Sequence, residues 1–197
     1  TKPDLIVEKN RFFKLKNYSD QLKDLYKKNP EFVVPEYRFN EVKSFVNGGL
    51  EDFSVSRETN KFGIPLPFDE KQVSYVRYDA LFNYVTVCQK DNFRSQDAEI
   101  IHVLGKDISR FHAIFRPAML MSTELRLPNK EFVTGFFTVD GQKMGKSLGN
   151  VIDPIEMVQK YDRDAVIFNL LYDVPVGADG DFSETRLANL YESMLIG

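Results

Sequence analysis

The chain has 197 residues, of which 43% are hydrophobic and 28% charged, and this composition excludes a disordered protein, a collagen-like repeat and a disulfide-stapled miniprotein. The formal net charge of −3 gives no overall attraction to a phosphate backbone, so any contact with nucleic acid requires a local basic patch. No apolar run approaches the roughly 20 residues of a membrane span, and the single cysteine, Cys88, excludes an internal disulfide; the expected location is cytoplasmic, with no membrane partner.

Residues 1–70 contain short helical patterns interrupted by prolines, and they predict a connector of helices. A first helix is expected to begin with Ser19 or Asn17 as its cap, because both side chains can accept a hydrogen bond from a helix N-terminus. Asn40 is the expected cap of a second helix. The proline-rich residues 63–69 are expected to form an extended crossing outside any ladder or helix.

Residues 71–152 alternate between strand and helix patterns, which predicts an α/β fold with a parallel sheet. Strands are predicted at 73–78, 100–104 and 132–139, and helices at 79–88, from Asp107 onward and from about Asp153 to Tyr161. Ligands of such sheets bind at the carboxyl ends of the strands, so the loops at these ends are the candidate sites.

The most unusual segment is residues 141–150, which read GQKMGKSLGN. It carries Lys143 and Lys146 without a carboxylate between Asp140 and Asp153, and its glycines let backbone N–H groups approach a ligand. These features suit a polyphosphate, whose charge two ammonium groups would bind. The alternative is a solvated turn with no ligand.

Gly105 and Asp107 lie where a predicted strand ends and a helix begins. Asp107 could accept hydrogen bonds from ribose hydroxyls, or it could only cap the helix. His112 faces the apolar side of that helix, where it is either a hydrogen-bonded core residue or a substrate contact. His102 belongs to the strand and is interpreted as structural.

Arg77 and Arg116 stand in apolar contexts, where a guanidinium needs a carboxylate partner, a route to water or a surface-facing position. The chain's two histidines and one cysteine exclude the common types of zinc site. Neither a GxSxG elbow nor a GxxxxGK[ST] loop occurs, which excludes the corresponding hydrolases and NTPases.

Taken together, these segments resemble the methionyl-tRNA synthetases, a family of class I aminoacyl-tRNA synthetases, over nearly the whole chain. Residues 143–150 (KMGKSLGN) are similar to the family's KMSKS loop. Residues 105–112 (GKDISRFH) and residues 75–80 (YVRYDA) are similar to two further family segments, and the segments occur in the family's order.

The resemblance implies the second half of a class I synthetase Rossmann-like fold with a parallel nucleotide-binding sheet, flanked by helical connector segments at both ends. Residues 1–70 would end the inserted connective region, residues 71–152 would form the second half of the catalytic domain with the KMSKS-type loop, and residues 153–197 would be a helical stem-contact region leading toward an anticodon-binding domain. No HIGH motif occurs in the sequence, so we expect a fragment that is inactive without the amino-terminal half of the catalytic domain.

The implied function is that of a methionine–tRNA ligase, which activates L-methionine with ATP and transfers it from methionyl-adenylate to tRNA(Met). The expected cofactors are ATP and the Mg²⁺ that accompanies it, with no zinc site in this segment. Two alternatives remain: a catalytically inactive paralogue of the synthetases, and an RNA-binding module that uses Lys143 and Lys146 as phosphate contacts.

The resemblance also implies roles for individual residues. Lys146 would contact ATP, and Lys143 and Ser147 would stabilise the departing pyrophosphate. Gly105 and Asp107 would lie near the adenosine. The methionine pocket would be formed by five residues: Arg77, Ala80, Tyr84, Ile108 and His112.

This sequence departs from the family pattern at four positions. Arg77 replaces an aromatic residue, and its guanidinium would put polar bulk where a thioether should pack. Arg116 replaces a tryptophan, Thr134 a histidine and Gly145 the serine of KMSKS. The glycine would loosen the loop while leaving both ammonium groups in place.

Overall fold

The computed structural model describes residues 7–60, 62–90 and 98–196, with the side chains of residues 89 and 90 left out. Two compact units are formed. The first comprises Thr1–His102 and Ser109–Glu131, and the second comprises Val103–Ile108 and Phe132–Gly197. Among the described residues, no helix has both the length and the apolar character needed to cross a membrane.

The described residues of the first unit form short strands and five α-helices. The strands are β1 (Phe12–Phe13), β2 (Val33–Val34), β3 (Phe53–Ser54), β4 (Ser56–Arg57), β5 (Pro65–Leu66) and β6 (Asp69–Ser74). The α-helices are α1 (Ser19–Lys28), α2 (Glu36–Asn47), α3 (Val76–Ala80), α4 (Asn83–Lys90) and α5 (Arg116–Ser122).

The starts of the first two helices differ from the predictions. Ser19 is the first residue of α1, and its N-cap position is Tyr18, which forms no capping hydrogen bond with its side chain. The expected caps Ser19 and Asn17 are therefore wrong. Asn40 lies inside α2, which begins directly after Pro35. Proline's fixed φ and missing N–H suit a helix start, which is why α2 begins earlier than the side-chain pattern suggested.

The central sheet of the first unit also corrects the sequence prediction. β6 pairs with both β4 and β5 in antiparallel fashion, so part of residues 63–69 joins a ladder that we expected it to avoid. The strand predicted at 73–78 ends at Ser74, and α3 follows. Arg77 therefore lies on a short helix and not on a strand.

The segment after residue 105 is helical but not one regular α-helix. A 3₁₀ turn, Lys106–Ile108, is followed by a π-helical turn, Phe111–Phe115, and then by α5. The wider π turn changes which residues face inward, and the consecutive residues His112, Ala113 and Ile114 are all buried. Turns of this kind are frequent at functional sites.

Two strands run from one unit into the other. They are β7 (Ile101–Gly105), which confirms the predicted strand at 100–104 to within a residue, and β8 (Lys130–Thr134). β8 is the middle strand of a three-stranded sheet whose edges are β2 and β7.

The second unit contains a three-stranded sheet and three α-helices. The strands are β9 (Phe137–Val139), β10 (Gln142–Lys143) and β11 (Gly180–Phe182), and the helices are α6 (Pro154–Tyr161), α7 (Arg163–Tyr172) and α8 (Glu184–Leu190). β9 is central, antiparallel to β10 and parallel to β11. The helices cover an apolar core that includes Met157, Ala165, Val166, Phe182 and Leu187.

The strand predicted at 132–139 is divided into β8 and β9 by Gly135 and Phe136. A Cβ atom at Gly135 would lie 1.9 Å from the carbonyl oxygen of Ala178, so only glycine fits this close approach. The helix predicted from Asp153 to Tyr161 is confirmed as α6, with Asp153 capping it through the N–H of Ile155.

Candidate functional site

A polar cluster lies inside the first unit and is formed by five side chains: Tyr84, His102, His112, Arg116 and Glu131. Tyr84 comes from α4, His112 from the π-helical turn and Arg116 from the start of α5, while His102 and Glu131 come from β7 and β8. His112, Arg116 and Glu131 are buried. Such groups require partners, because an unpaired polar group in the interior is costly.

Tyr84 links the two histidines of the polar cluster. Its hydroxyl oxygen lies 2.9 Å from Nε2 of His112, a hydrogen-bond distance. Its ring centroid lies 4.7 Å from that of His102. The guanidinium carbon of Arg116 lies 4.8 Å from the Tyr84 ring centroid, so Arg116 also forms a cation–π contact with this ring.

Glu131 and Arg116 both contact His102 in the polar cluster. Both carboxyl oxygens of Glu131 lie 3.1 Å from Nδ1 of His102, and Nη1 of Arg116 lies 3.3 Å from the same nitrogen. Nε of Arg116 also donates to the carbonyl of Leu81. Burial raises the pKa of Glu131 to about 8, although His112 and Arg116 act in the opposite direction.

Nδ1 of His102 has one hydrogen-bonding role at a time: without a proton it accepts from Arg116, and with a proton it donates to Glu131. The distances fit both tautomers, so the geometry does not set the protonation state of Glu131. The raised pKa of Glu131, caused by its burial, favours a neutral carboxyl group near neutral pH.

The position of Arg116 answers a question that the sequence left open. With 1% of its surface exposed, it is neither on a surface-facing strand nor in contact with water, and it faces a carboxyl group that the sequence analysis missed. The signal was present in β8, where Glu131 and Val133 alternate with more exposed residues and therefore share the inward face.

The remaining residues predicted for the methionine pocket lie outside the polar cluster. Arg77 and Ala80 are exposed on α3, and the guanidinium of Arg77 lies 5.0 Å from the ring centroid of Phe111. Ile108 ends the 3₁₀ turn and belongs to the second unit. Of the five predicted methionine-pocket residues, the structure joins Tyr84 and His112 by a hydrogen bond.

The lysine loop, residues 141–150, lies in the second unit. Lys143 ends β10, and Lys146 and Ser147 lie in a 3₁₀ turn, Lys146–Leu148; all three side chains are exposed. Across the parts of the chain that the structure describes, neither lysine ammonium group forms an ion pair or a hydrogen bond. Both charges are therefore available to a ligand, as the missing carboxylates predicted.

The backbone of the lysine loop, in contrast, has specific partners. The side chain of Asn150 accepts a hydrogen bond from the N–H of Gly145 at 2.9 Å and donates one to the carbonyl of Lys143 at 3.1 Å. This clasp closes the segment that carries both lysines. Gly149 adopts a φ of 67°, which a residue with a side chain would adopt only with strain.

The end of β7 presents a second charged group in the same unit. Lys106 forms a 2.6 Å ion pair with Asp179, which also accepts the N–H of Phe136 at 2.9 Å. Asp107 is exposed inside the 3₁₀ turn and forms no capping hydrogen bond in the described part of the chain. Asp107 is therefore open to a ligand, and the alternative of a helix cap is not what the structure shows.

The donor set of these regions suits phosphate and not a metal ion. Among the residues with described side chains, no group of three or more His, Cys, Asp and Glu residues could hold a metal. The lysine loop itself offers ammonium groups and backbone N–H groups, which are ligands for anions. We therefore assign no metal ligand to this loop.

Comparison with known families gives the class of protein. The model of the family described as "tRNA synthetases class I (M)" matches residues 1–197, and the chain belongs to this family. This confirms the expected class I synthetase fold.

Individual relatives are methionine–tRNA ligases. The chain is 47% identical over 197 residues to the chloroplastic/mitochondrial methionine–tRNA ligase of Arabidopsis thaliana, covering 95% of this chain and 32% of that protein. It is 44% identical over 194 residues to that of Thermotoga maritima, covering 96% and 31%. Mycobacterium tuberculosis methionyl-tRNA synthetase in complex with methionyl-adenylate superposes with a TM-score of 0.86 at 40% identity, covering 95% of this chain and 38% of that one. The chain spans about a third of the length of the curated relatives it matches.

Proposed function

We propose that this chain supplies the phosphate-binding loop and part of the amino-acid pocket of a methionine–tRNA ligase. The observation that carries the proposal is the lysine loop: two exposed ammonium groups without a partner among the described residues, on a backbone closed by Asn150. Relatives named methionine–tRNA ligase support the choice of reaction.

In the proposed reaction, a carboxylate oxygen of methionine attacks the α-phosphorus of ATP. A new oxygen–phosphorus bond forms, and the bond between the α-phosphorus and the bridging oxygen breaks, so pyrophosphate leaves with the electron pair. Negative charge builds on the leaving group during this step. Lys146 contacts the ATP phosphates, and Lys143 and Ser147 stabilise the departing pyrophosphate. Cations placed where charge develops lower the barrier more than they strengthen ground-state binding.

Magnesium enters this proposal only as the ion that accompanies ATP. Since the lysine loop has no carboxylate, the ion would be held through phosphate oxygens and not by the loop. No step is assigned to it, and no zinc site is proposed in this segment.

Gly105 and Asp107 are proposed to bind the adenosine. The carboxylate of Asp107 is exposed at the end of β7 and can accept hydrogen bonds from ribose hydroxyls. A Cβ atom at Gly105 would lie 3.1 Å from Oδ1 of Asp107, so a side chain at this position would crowd the carboxylate.

The methionine side chain is proposed to contact Tyr84 and His112, with Ile108, Ala80 and Arg77 as further pocket residues. The hydrogen bond between Tyr84 and His112 fixes both rings before substrate arrives, which lowers the entropy cost of binding. An aromatic ring and an imidazole suit a polarisable thioether.

In the second step, a ribose hydroxyl at the 3′ end of tRNA(Met) attacks the carbonyl carbon of methionyl-adenylate. The ester bond to the ribose forms, and AMP leaves with the electrons of the mixed anhydride bond. This step is proposed to require the amino-terminal half of the catalytic domain as a partner, with the cytoplasm as the compartment.

A hybrid enzyme tests the proposal. This chain would replace the aligned segment of the Mycobacterium tuberculosis methionyl-tRNA synthetase, and methionine-dependent exchange between ATP and pyrophosphate would be measured. We expect exchange that requires methionine and is not supported by leucine. A folded hybrid that binds ATP but shows no exchange, before and after Arg77→Trp, would contradict the proposal and favour an inactive paralogue.

The RNA-binding alternative makes a separate prediction for the 197-residue chain. If Lys143 and Lys146 serve only as RNA phosphate contacts, the chain alone will bind RNA with an affinity that falls steeply as salt increases. Tight, lysine-dependent RNA binding together with an inactive hybrid would support that alternative.

A further inference from the structure

The root of the lysine loop is a tight hairpin between β9 and β10. Val139 pairs with Gln142, so the turn consists of Asp140 and Gly141. Their φ angles are 50° and 75°, which is the type I′ geometry that matches the twist of a two-stranded hairpin. The turn therefore sets the direction in which the loop leaves the sheet.

Asp181 holds this turn from the neighbouring strand. Its Oδ1 accepts a hydrogen bond from the N–H of Gly141 at 2.7 Å and another from the hydroxyl of Thr138 at 2.5 Å. Asp181 lies on β11, directly opposite Thr138 in the parallel pairing. One carboxylate oxygen thus fastens both the strand before the turn and the turn itself to β11.

The same row of the sheet contains the first lysine of the loop. Thr138 pairs with Lys143 on one side and with Asp181 on the other. Residues paired across adjacent strands share a face, so Lys143 and Asp181 stand on one face with Thr138 between them. Lys143 nevertheless forms no ion pair with any residue that the structure describes, whereas Asp181 is engaged by Thr138, by Gly141 and by Arg186 at 3.4 Å.

Arg186 separates two possible roles of Asp181. It pairs with Asp181 and also with Asp173, at 3.1 Å. Asp173 carries the same charge near the same guanidinium, but it makes no contact with the turn among the bonds described for it. It is therefore a natural control for the charge of Asp181 without its hydrogen bonds.

We propose that Asp181 is a positioning residue for the lysine loop: by fastening Thr138 and Gly141 to β11, it fixes where the ammonium groups of Lys143 and Lys146 stand. Asn150 then stabilises the part of the loop that contains both lysines, through its hydrogen bonds to the backbone of Lys143 and Gly145. The proposal rests on the proposed function, since the positioned groups matter only if the loop binds phosphate.

The sign of one effect distinguishes positioning from simple electrostatics. If Asp181 were only a negative charge near the lysines, its removal would strengthen the binding of an anion. If it positions the loop, its removal weakens binding despite the gain in positive charge. Pyrophosphate is the probe, titrated at millimolar concentration into the 197-residue chain and followed by the amide signals of Gly145 and Gly149.

We expect Asp181→Ala to weaken pyrophosphate binding by about tenfold, the effect of about 1.4 kcal/mol, while Asp173→Ala leaves it unchanged or slightly stronger. The amide of Gly141 is expected to exchange with solvent at least about tenfold faster in Asp181→Ala and at the wild-type rate in Asp173→Ala. Unchanged signals from the core residues Met157 and Leu187 will show that the second unit remains folded. If Asp181→Ala unfolds, Thr138→Val replaces it and is expected to weaken pyrophosphate binding, because it removes one of the two hydrogen bonds that Asp181 accepts. Asp181→Asn then serves as the control for charge, since its amide oxygen can still accept both hydrogen bonds and pyrophosphate binding should not weaken.

Pyrophosphate binding in Asp181→Ala that equals or exceeds that of the wild type would overturn the proposal. So would an unchanged exchange rate of the Gly141 amide. Failure of the proposed function gives a different result: Lys143→Ala/Lys146→Ala would bind pyrophosphate as the wild type does, or the wild type would bind none, while the Gly141 exchange rate would still report whether Asp181 holds the turn.

Discussion

The polar cluster of the first unit and the lysine loop of the second unit use charge in opposite ways. In the polar cluster, the buried side chains of Arg116 and Glu131 both contact His102. In the lysine loop, the backbone is held by Asn150 and Asp181 while the charged side chains are exposed. The polar cluster therefore contributes to the packing of the first unit, whereas the lysine loop presents two ammonium groups that a ligand can reach.

This difference predicts where substitutions act. Removing one partner of the polar cluster leaves a buried charge or a cavity, so folding stability should suffer. Removing a lysine of the loop breaks no described contact, so stability should change little and phosphate chemistry should change greatly. We therefore expect substitutions in the polar cluster to lower stability, and substitutions in the lysine loop to lower activity with little effect on stability.

The largest effect on stability is expected for Arg116 and Glu131 of the polar cluster. Arg116→Met and Glu131→Leu should each lower the free energy of unfolding by about 3 kcal/mol, because each removes a buried polar partner of His102 and leaves the remaining groups of the cluster less well paired. The double variant should lose less than the sum of the two, with a coupling of about 1–3 kcal/mol. Urea unfolding of the four proteins measures this, and strict additivity would show that the two groups are not energetically paired.

The next effect concerns pH. Since the pKa of Glu131 is raised from 4.5 to about 8, the folded state binds a proton that the unfolded state has released between these values. The stabilising contribution of this group is therefore complete below pH 4.5 and is lost as the pH rises toward 8.

Glu131→Gln isolates this contribution, because glutamine does not titrate. The free energy of unfolding of the wild type minus that of Glu131→Gln should fall as the pH rises from about 4.5 to about 8. His102, His112 and Arg116 face the side chain of residue 131 in both proteins, so their own titration is common to the two. A difference that stays constant or grows with pH would contradict the raised pKa of Glu131.

A smaller effect is expected at Tyr84. Tyr84→Phe removes the hydroxyl that contacts His112 and should cost about 1 kcal/mol of stability. In the hybrid enzyme it should raise the KM for methionine more than it lowers kcat, since the hydrogen bond positions a binding residue. If kcat falls by as large a factor as KM rises, Tyr84 has a general packing role and does not specifically position the methionine-binding residue His112.

The smallest effect on stability is expected at Asn150. Asn150→Ala should change the free energy of unfolding by no more than about 0.5 kcal/mol, because the loop is exposed. The amide of Gly145 should nevertheless exchange faster with solvent, since it loses its acceptor. Wild-type exchange at Gly145 would show that the clasp does not hold the loop.

The loop could be predicted from the sequence because its determinants are local. No carboxylate occurs near Lys143 and Lys146, so exposed and unpaired ammonium groups followed directly. The start of α6 was equally local, since Asp153 and Pro154 form a cap and a first helical residue. The hairpin turn is local too, since Asp140 followed by Gly141 is a pair that favours a two-residue turn.

The polar cluster could not be predicted, because its partners meet only through the sheet. Arg116 faces Glu131 and His102 after β7 and β8 have been brought together, and no local pattern fixes that arrangement. The break at Gly135 has a similar origin, since it arises from the close approach of Ala178. The strand limits near Arg77 were wrong because β6 follows its pairing with β4 and β5 and ends at Ser74.

The most direct test of the central claim is single-turnover formation of methionyl-adenylate by the hybrid enzyme carrying Lys143→Ala/Lys146→Ala. Lys160→Ala is the matched control, since this lysine lies in the same unit but pairs with Glu184. We predict that the double variant forms the adenylate at least about 100-fold more slowly than the wild type. The rate of Lys160→Ala should stay within about twofold of the wild type, and the free energy of unfolding of the double variant should be close to that of the wild type. A double variant that forms the adenylate at the wild-type rate would contradict the claim that these two ammonium groups bind the phosphates of ATP.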